Sequence, residues 1–271
     1  MTHPPHTLRL MPLTSLSPSR ASDFMNCPLL FRFRSIDRLP EAPSPAAVRG
    51  TLVHEVLEEL FDQPAGERSL AAASAALAPT WARTVDADPS IEVVTEGSTE
   101  AWLAGAERLL ATYFTLENPS NVEPTEREFA VSAILPSGLE LRGFIDRLDV
   151  APDGRIRIVD YKTGKSPKPA YEGKALFQMR CYALAIWIMR DTVAHTLQLF
   201  YLGNGEILRN HPTPEELNAT SSKLEAIATA INASLETGEF TPNKSRLCDW
   251  CDHKALCPAW GGTPPPMPDT T

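Results

Sequence analysis

Apolar positions along the chain change period several times, and each change marks an element. In "GTLVHEVLEELF" (50–61), Val53, Val56, Leu57, Leu60 and Phe61 recur three and four apart. That spacing predicts an amphipathic helix, with His54 one turn before Glu58. The alanine-rich stretch 65–118 keeps helical spacing and reads as a helical insertion. Its clearest part, "STEAWLAGAERLLATYFTLE" (98–117), offers Ser98 or Thr99 as N-cap. Alternation then takes over. "EREFAVSAIL" (126–135), "LELRGFIDRLDV" (139–150) and "RIRIVDYKT" (155–163) read as strands joined by "PSG" and "APDG" turns. A helix over about 170–190, a strand "TLQLFYLG" (196–203) and a helix over 213–237 follow. Upstream, 15–39 predicts a short helix opening near Ser19 and carrying Cys27. The order of helix, three antiparallel strands, helix and strand is that of a mixed α/β core.

One strand departs from its own pattern. In "RIRIVDYKTGK" (155–165) the face that begins with Ile156 and Ile158 continues with Asp160 and Lys162. Burying either charge without a partner is expensive. The turn "A-P-D-G-R" suits a three-residue hairpin loop with glycine in the left-handed position, which sets Ala151 opposite Arg155. Counting back, Asp146 falls opposite Asp160. Phe144, Asp146, Leu148 and Val150 then share a face with Ile156, Ile158, Asp160 and Lys162. One end of that face is apolar, and the other holds two carboxylates and a lysine. Carboxylates directly opposite repel, and a hard divalent cation removes the repulsion. A structural salt-bridge cluster at a strand end is the alternative.

Composition narrows the setting. The 271 residues are 43% hydrophobic and 22% charged, as in an ordinary globular protein. The start of the chain lacks the apolar core of a signal peptide, and the longest apolar run, "ALAIWIM" (183–189), is far too short to span a bilayer. A cytoplasmic protein with no membrane partner is expected. The proline-rich ends, 1–14 and 261–271, are expected to be poorly ordered. A net charge of −9 argues against a general nucleic-acid coat but leaves room for a local basic groove. Arg32, Arg34 and Arg38 form one basic cluster, and Lys162, Lys165, Lys168 and Lys174 another; either could equally be a solvated face.

The ordered set resembles the PD-(D/E)xK nuclease superfamily. It comprises a helical His54 in "GTLVHEVLE", Asp146 in "GFIDRLDV", Asp160-x-Lys162 in "IVDYKTGK", and Gln178 with Tyr182 in "QMRCY". It is most similar to the RecB-family exonucleases, over about residues 15–260. The resemblance implies one restriction-endonuclease-like domain, a mixed central sheet flanked by helices, with the insertion at 65–118. It implies Mg²⁺ or Mn²⁺ held by His54, Asp146, Asp160 and the carbonyl of Tyr161. Lys162 would act beside the attacking water, and Gln178 and Tyr182 would line the DNA groove. Arg32, Arg34 and Lys165 are the candidate phosphate contacts.

The five cysteines, in a cytosolic protein, suit metal ligation or burial better than disulfides. "CDWCDHKALC" supplies Cys248, Cys251 and Cys257; Cys27 is the better fourth thiolate, because Cys181 lies in an apolar helix as a small filler. Asp249, Asp252 and His253 are expected to be solvated. The AddB-like nuclease domains and the CRISPR adaptation nucleases carry one early and three late cysteines around a [4Fe–4S] cluster. The resemblance therefore implies an iron–sulfur staple joining the N- and C-terminal segments, with structural zinc as the rival. The functional expectation is a metal-dependent exonuclease on single-stranded DNA or frayed ends, in repair or recombination, with unwinding left to a helicase or another repair protein. A DNA-binding subunit with a vestigial site, and a zinc-stapled structural protein, are the alternatives.

Overall fold

The computed structural model describes residues 12–268. Residues 1–11 and 269–271, which belong to the two expected loose ends, lie outside the described residues. In the remainder of those ends, the Leu13 amide donates to Asn232 Oδ1 (2.7 Å), and Arg32 donates to the carbonyl of Pro265. In chain order the elements are β1 (Ser15–Leu16), α1 (Pro18–Asn26), α2 (Pro28–Phe31), α3 (Pro45–Leu60), α4 (Leu70–Ala87), α5 (Thr99–Leu116), β2 (Glu126–Ile134), β3 (Glu140–Val150), β4 (Ile156–Lys162), α6 (Glu172–Arg190), β5 (Thr196–Tyr201), β6 (Glu206–Asn210) and α7 (Pro214–Thr237). Among the described residues, no helix is long and apolar enough to cross a membrane.

Most predicted elements form where their spacing placed them. Ser98 is the N-cap of α5 and accepts from Ala101 N (3.2 Å), which settles the choice between Ser98 and Thr99. The first helix differs from its expectation. It starts at Pro18 under a Ser17 cap and stops before Cys27, whose backbone is extended (φ −162) ahead of Pro28. A residue before proline is driven out of the helical region, so Cys27 becomes a corner between two helices. Two short strands escaped the sequence reading: β1 has two residues and β6 five, too few for alternation to register.

By its internal contacts the chain groups into two compact units. The first takes the chain up to Ala42, Ser132–Arg142 and the chain from Asn218; the second takes Pro43–Val131 and Gly143–Leu217. In the first, β1 runs parallel to the start of β3, with Ser15 opposite Glu140. In the second, β3 and β4 are antiparallel, β4 and β5 parallel, and β5 and β6 antiparallel, while β2 pairs with β3. The parallel pair needs a crossover, which α6 supplies.

The hairpin register matches the turn chemistry. Ala151 N donates to Arg155 O (2.9 Å), Gly154 sits at φ 83, and Leu148 lies opposite Ile158. The apolar part of that face is shorter than expected. Leu148, Ile156 and Ile158 are buried, but Val150, at the turn, is 37% exposed and Phe144 is 61% exposed.

The other face of the hairpin packs on the helical insertion. Leu57, Trp81, Trp102, Leu110 and Tyr113 from α3, α4 and α5 form one buried cluster with Val159, Tyr161 and Phe200. The insertion is therefore one layer of the second unit's core. Arg147 points into this layer and is almost fully buried. Its guanidinium donates to Glu117 Oε2 (2.7 Å) and Oε1 (3.1 Å), to both Asp149 oxygens and to Tyr161 Oη (2.7 Å). Burial pulls Glu117 upward, but Arg147 and Arg157 outweigh it and hold its carboxyl below the usual range. Arg147→Ala removes the buried cation between Glu117 and Asp149 and leaves them only the more exposed Arg157. It is expected to cost about 3–5 kcal/mol in urea unfolding, as for other broken buried pairs; a loss under about 1 kcal/mol would contradict the packing role.

Candidate active site

The backbone ladder between β3 and β4 ends at Arg147 opposite Val159. One step further, Asp146 Oδ2 accepts the Tyr161 amide (2.7 Å) in place of a backbone carbonyl. Asp146 is thus fixed by the end of its own hairpin. Burial, and then the charge of Asp160, push the Asp146 carboxyl well above the ordinary range; the Tyr161 amide pulls the other way.

Asp160 is 2% exposed on β4. Lys162 Nζ donates to its Oδ1 (3.0 Å) and to Gln178 Oε1 (3.0 Å), and Gln178 Nε2 donates to Asp160 Oδ1 (3.2 Å) and Tyr182 Oη (3.0 Å). Lys162 Nζ also lies 2.8 Å from Asp160 Oδ2, but out of line for a hydrogen bond. That buried oxygen has no hydrogen-bond partner. The Lys162 ammonium therefore balances that oxygen by charge and not by a directed hydrogen bond.

His54, on α3, meets the same point. Its Nε2 donates to the Tyr161 carbonyl (2.7 Å), and its Nδ1 lies 3.4 Å from Asp146 Oδ2. Glu128 joins them: one ligand atom each from His54, Glu128 and Asp146 lies within 4.8 Å of the others. The sequence reading missed Glu128. It sits at φ 42, outside the extended range of its strand, so alternation could not assign its direction. Burial raises its carboxyl pKa, opposed by His54. The reading also missed Tyr201, opposite Lys162 on β5, whose phenol burial pushes up to about 12. The donors of this site are carboxylate oxygens, a carbonyl and an imidazole. That set, crowded with like charge, fits Mg²⁺ or Mn²⁺.

Gln178 and Tyr182 do share a helix face, but Tyr182 is buried (8% exposed), with its hydroxyl against Gln178. Gln178 is half-buried and bonds both Asp160 and Lys162, with Tyr182 holding its amide.

In the first unit, Cys27, Cys248, Cys251 and Cys257 all line one cavity of about 50 Å³, walled also by Leu29, Phe33 and Trp260; Cys181 is buried on α6 away from it. Backbone amides aim at the sulfurs: Asn243 N donates to Cys27 Sγ and Ser245 N to Cys248 Sγ, both at 3.4 Å. His253 is not solvated as expected. It is 4% exposed, its ring packs on Phe33 (5.2 Å), and its Nε2 pairs with Glu41 (2.9 Å). Asp252 accepts from Ala42 N (3.3 Å).

Comparison with known proteins agrees with this geometry. The sequence profile of the PD-(D/E)XK nuclease superfamily matches residues 15–258. This chain belongs to the PD-(D/E)XK nuclease superfamily. It is 25% identical to the Gene 69 protein of Mycobacterium phage D29 over 92% of this chain and 98% of that one. It is 30% identical to the Gene 69 protein of Mycobacterium phage L5 over 126 residues; that match spans 45% of this chain and less than half (41%) of the phage protein. A solved Eubacterium rectale protein, provisionally assigned as an exonuclease, shares the fold at TM-score 0.53 and 14% identity, over 89% of this chain and 88% of that one.

Two of the expected phosphate contacts of this nuclease-family chain are otherwise engaged. Arg32 is 6% exposed and paired with Asp37 (3.0 Å). Arg34 forks onto Glu41 (2.7 and 3.0 Å) and reaches Asp23 (2.8 Å). The acids lie 5, 7 and 11 residues away, which an argument from basic clusters alone overlooks. Lys165 is exposed.

The carboxylate pair has a measurable consequence. Asp146→Asn keeps an acceptor for the Tyr161 amide and removes the like charge. In EDTA its melting temperature should exceed the wild type's by about 2–4 °C, on the order of 1 kcal/mol for a domain of this size. Mn²⁺ should then stabilise the wild type more than the variant. A variant that melts lower than the wild type in EDTA would show that Asp146 is not strained by its neighbour.

Proposed function

We propose that this chain is a RecB-type, metal-dependent DNA exonuclease acting on single strands or frayed ends in repair or recombination, with its cysteine cavity holding a [4Fe–4S] cluster. The observation that carries the nuclease reading is the clustering of His54, Glu128 and Asp146, with the Tyr161 carbonyl on His54, beside the Asp160–Lys162 pair of the next strand. A divalent cation bound there supplies electrostatic stabilisation of the phosphate and acidification of water. The chain's own groups do the rest. Asp146 and Asp160 hold the cation, and Lys162 offers an ammonium where charge builds on the phosphate. Gln178 fixes Lys162 and Asp160 in one geometry, and Tyr182 fixes Gln178. The intact carboxylates and lysine speak against a vestigial site.

The cluster reading rests on the sulfurs. All four sulfurs line one cavity, and backbone amides donate to two of them. Those donors support the cluster reading, since hydrogen bonds to sulfur are part of how proteins tune such clusters.

Two measurements test these readings. On labelled single-stranded DNA with Mn²⁺ or Mg²⁺, Asp160→Ala should abolish cleavage, and Lys162→Ala should lower it about 10²–10³-fold while keeping metal and DNA binding. Full activity in Asp160→Ala would remove the active-site assignment. Iron and sulfide should assay at about four each per chain. Alanine at Cys27, Cys248, Cys251 or Cys257 should remove the visible absorbance and stability together, whereas Cys181→Ala should cost only about 1 kcal/mol. One zinc and no iron would refute the cluster.

A further inference from the structure

Two aromatic rings flank the proposed catalytic cluster in the open. Among the described residues of the second unit, Phe144 and Tyr171 are the large aromatics with more than half their surface exposed, each 61%. Neither placement is random with respect to the site. Phe144 lies two residues before Asp146 on β3, on the same face of the strand and about one 6.8 Å repeat away. The hairpin register puts it level with Lys162, beyond the last backbone pairing. Tyr171 lies seven residues before Gln178 at the entry to α6. Seven residues are two helical turns, so Tyr171 falls on the face that carries Gln178 and Tyr182, about 10 Å along the axis.

The segment between them is built to stay in place. It follows Lys162 directly and reads "TGKSPKPAY" (163–171). Its base is tight: Gly203 leaves no room for a side chain, because a Cβ there would sit 2.6 Å from the Gly164 carbonyl carbon. Ser166 N donates to Asn204 Oδ1 (3.1 Å), and the Ser166 hydroxyl bonds Glu206. Pro167 and Pro169 bracket Lys168, which is held extended at φ −62 and ψ 153. This segment presents Lys165 and Lys168, both exposed, between the catalytic lysine and Tyr171.

We infer that Phe144 and Tyr171 are stacking platforms for unpaired bases on either side of the scissile phosphate, with Lys165 and Lys168 tracking the backbone. This deepens the nuclease reading and rests on it: it names the substrate as a strand whose bases are free to stack. A lone exposed phenylalanine on a surface means little. Two exposed rings bracketing one cluster of carboxylates and lysines, on elements that carry its residues, match the combination by which single strands are held: a cationic track with aromatic faces that accept any base. Paired bases are stacked on each other and cannot use these rings.

The test compares labelled oligothymidylate with an abasic oligomer of the same length and charge. Binding is read by fluorescence anisotropy in EDTA, where no hydrolysis runs. The wild type should bind oligothymidylate more tightly than the abasic strand. Phe144→Ala and Tyr171→Ala should each weaken oligothymidylate binding roughly 5- to 150-fold and leave the abasic strand unchanged. Phe144→Trp and Tyr171→Phe should restore the preference. Lys165→Ala with Lys168→Ala should weaken both strands alike and flatten the salt dependence. In the Mn²⁺ cleavage assay, the two aromatic variants should raise KM with kcat held. Equal binding of the two strands by the wild type, or aromatic variants that bind like it, would overturn the inference even if cleavage is robust. Absence of cleavage by the wild type on any strand would instead strike the nuclease reading. An RNA counterpart of equal affinity would extend the site to both nucleic acids, and a duplex bound as tightly as the single strand would refute it.

Discussion

Adjacent residues on one strand hold this site together from opposite sides. Asp146 and Arg147 point to opposite faces of β3, as neighbours in any strand must. Arg147 is locked behind the sheet onto Glu117 and Asp149, with its guanidinium 5.8 Å from the centre of the Tyr161 ring. Asp146 is held in front by the amide of the same Tyr161. The ladder between β3 and β4 has already ended there, so Asp146 is not placed by pairing with β4, whereas Asp160 still pairs with Leu199 on β5. The buried arginine and its acids supply the rigidity that the open end of the hairpin lacks. A like-charge pair at the end of a hairpin would otherwise splay the strands. The helical layer behind the sheet is therefore tied to the chemistry through the Arg147 guanidinium on one side and through His54 of α3 on the other.

How far the sequence revealed this varies with the range of the interaction. The hairpin register was legible because a Pro-Asp-Gly turn leaves few geometries, and parity then carries Asp146 opposite Asp160. The helical phase was legible too, so Gln178 and Tyr182 were correctly put on one face. Partners distant in the chain were not legible. Nothing around Arg147 announces that its acid lies thirty positions earlier, just after α5. Glu128 depends on one left-handed residue within a strand, and no pattern of period two reports that. Arg32 and Arg34 read as a basic surface because clustered bases were weighed without the acids 5, 7 and 11 residues away. His253 read as solvated because its burial comes from Phe33 and Glu41, more than two hundred residues upstream.

Ion pairing also redistributes the charge that a polyanionic substrate would meet. The chain carries nine more acidic than basic side chains, and many of its arginines are spent on internal acids. Arg34, Arg68, Arg83, Arg127, Arg147 and Arg157 each lie within 3.3 Å of a carboxylate. Lysines in the proline-bracketed segment after Lys162 are placed differently, on a short stiff track beside the carboxylates. An acidic protein can meet a phosphate backbone if its unpaired cations are few and correctly placed, because steering depends on the local potential more than on net charge.

The cysteine unit faces a different physical problem. It is assembled from three separate stretches of chain, with the whole second unit intervening between them in sequence. Closing loops of that length costs roughly 5 kcal/mol of chain entropy by the logarithmic estimate, comparable to a domain's entire stability. Cys27 stands at a corner where one helix ends and the next begins, and the other three lining cysteines arrive within ten residues of one another near the far end of the chain. Any group that binds all four would restrict the unfolded chain while leaving the folded one unstrained, since the sulfurs already face a common space. Apolar burial around the cavity is thin by comparison: Leu247, Trp250 and Trp260 remain exposed beside it. The cysteine end of this unit should accordingly depend on whatever occupies the sulfurs more than on hydrophobic packing, while Leu16, Phe31, Leu135, Leu141, Leu224 and Ile231 give the rest of the unit a buried core.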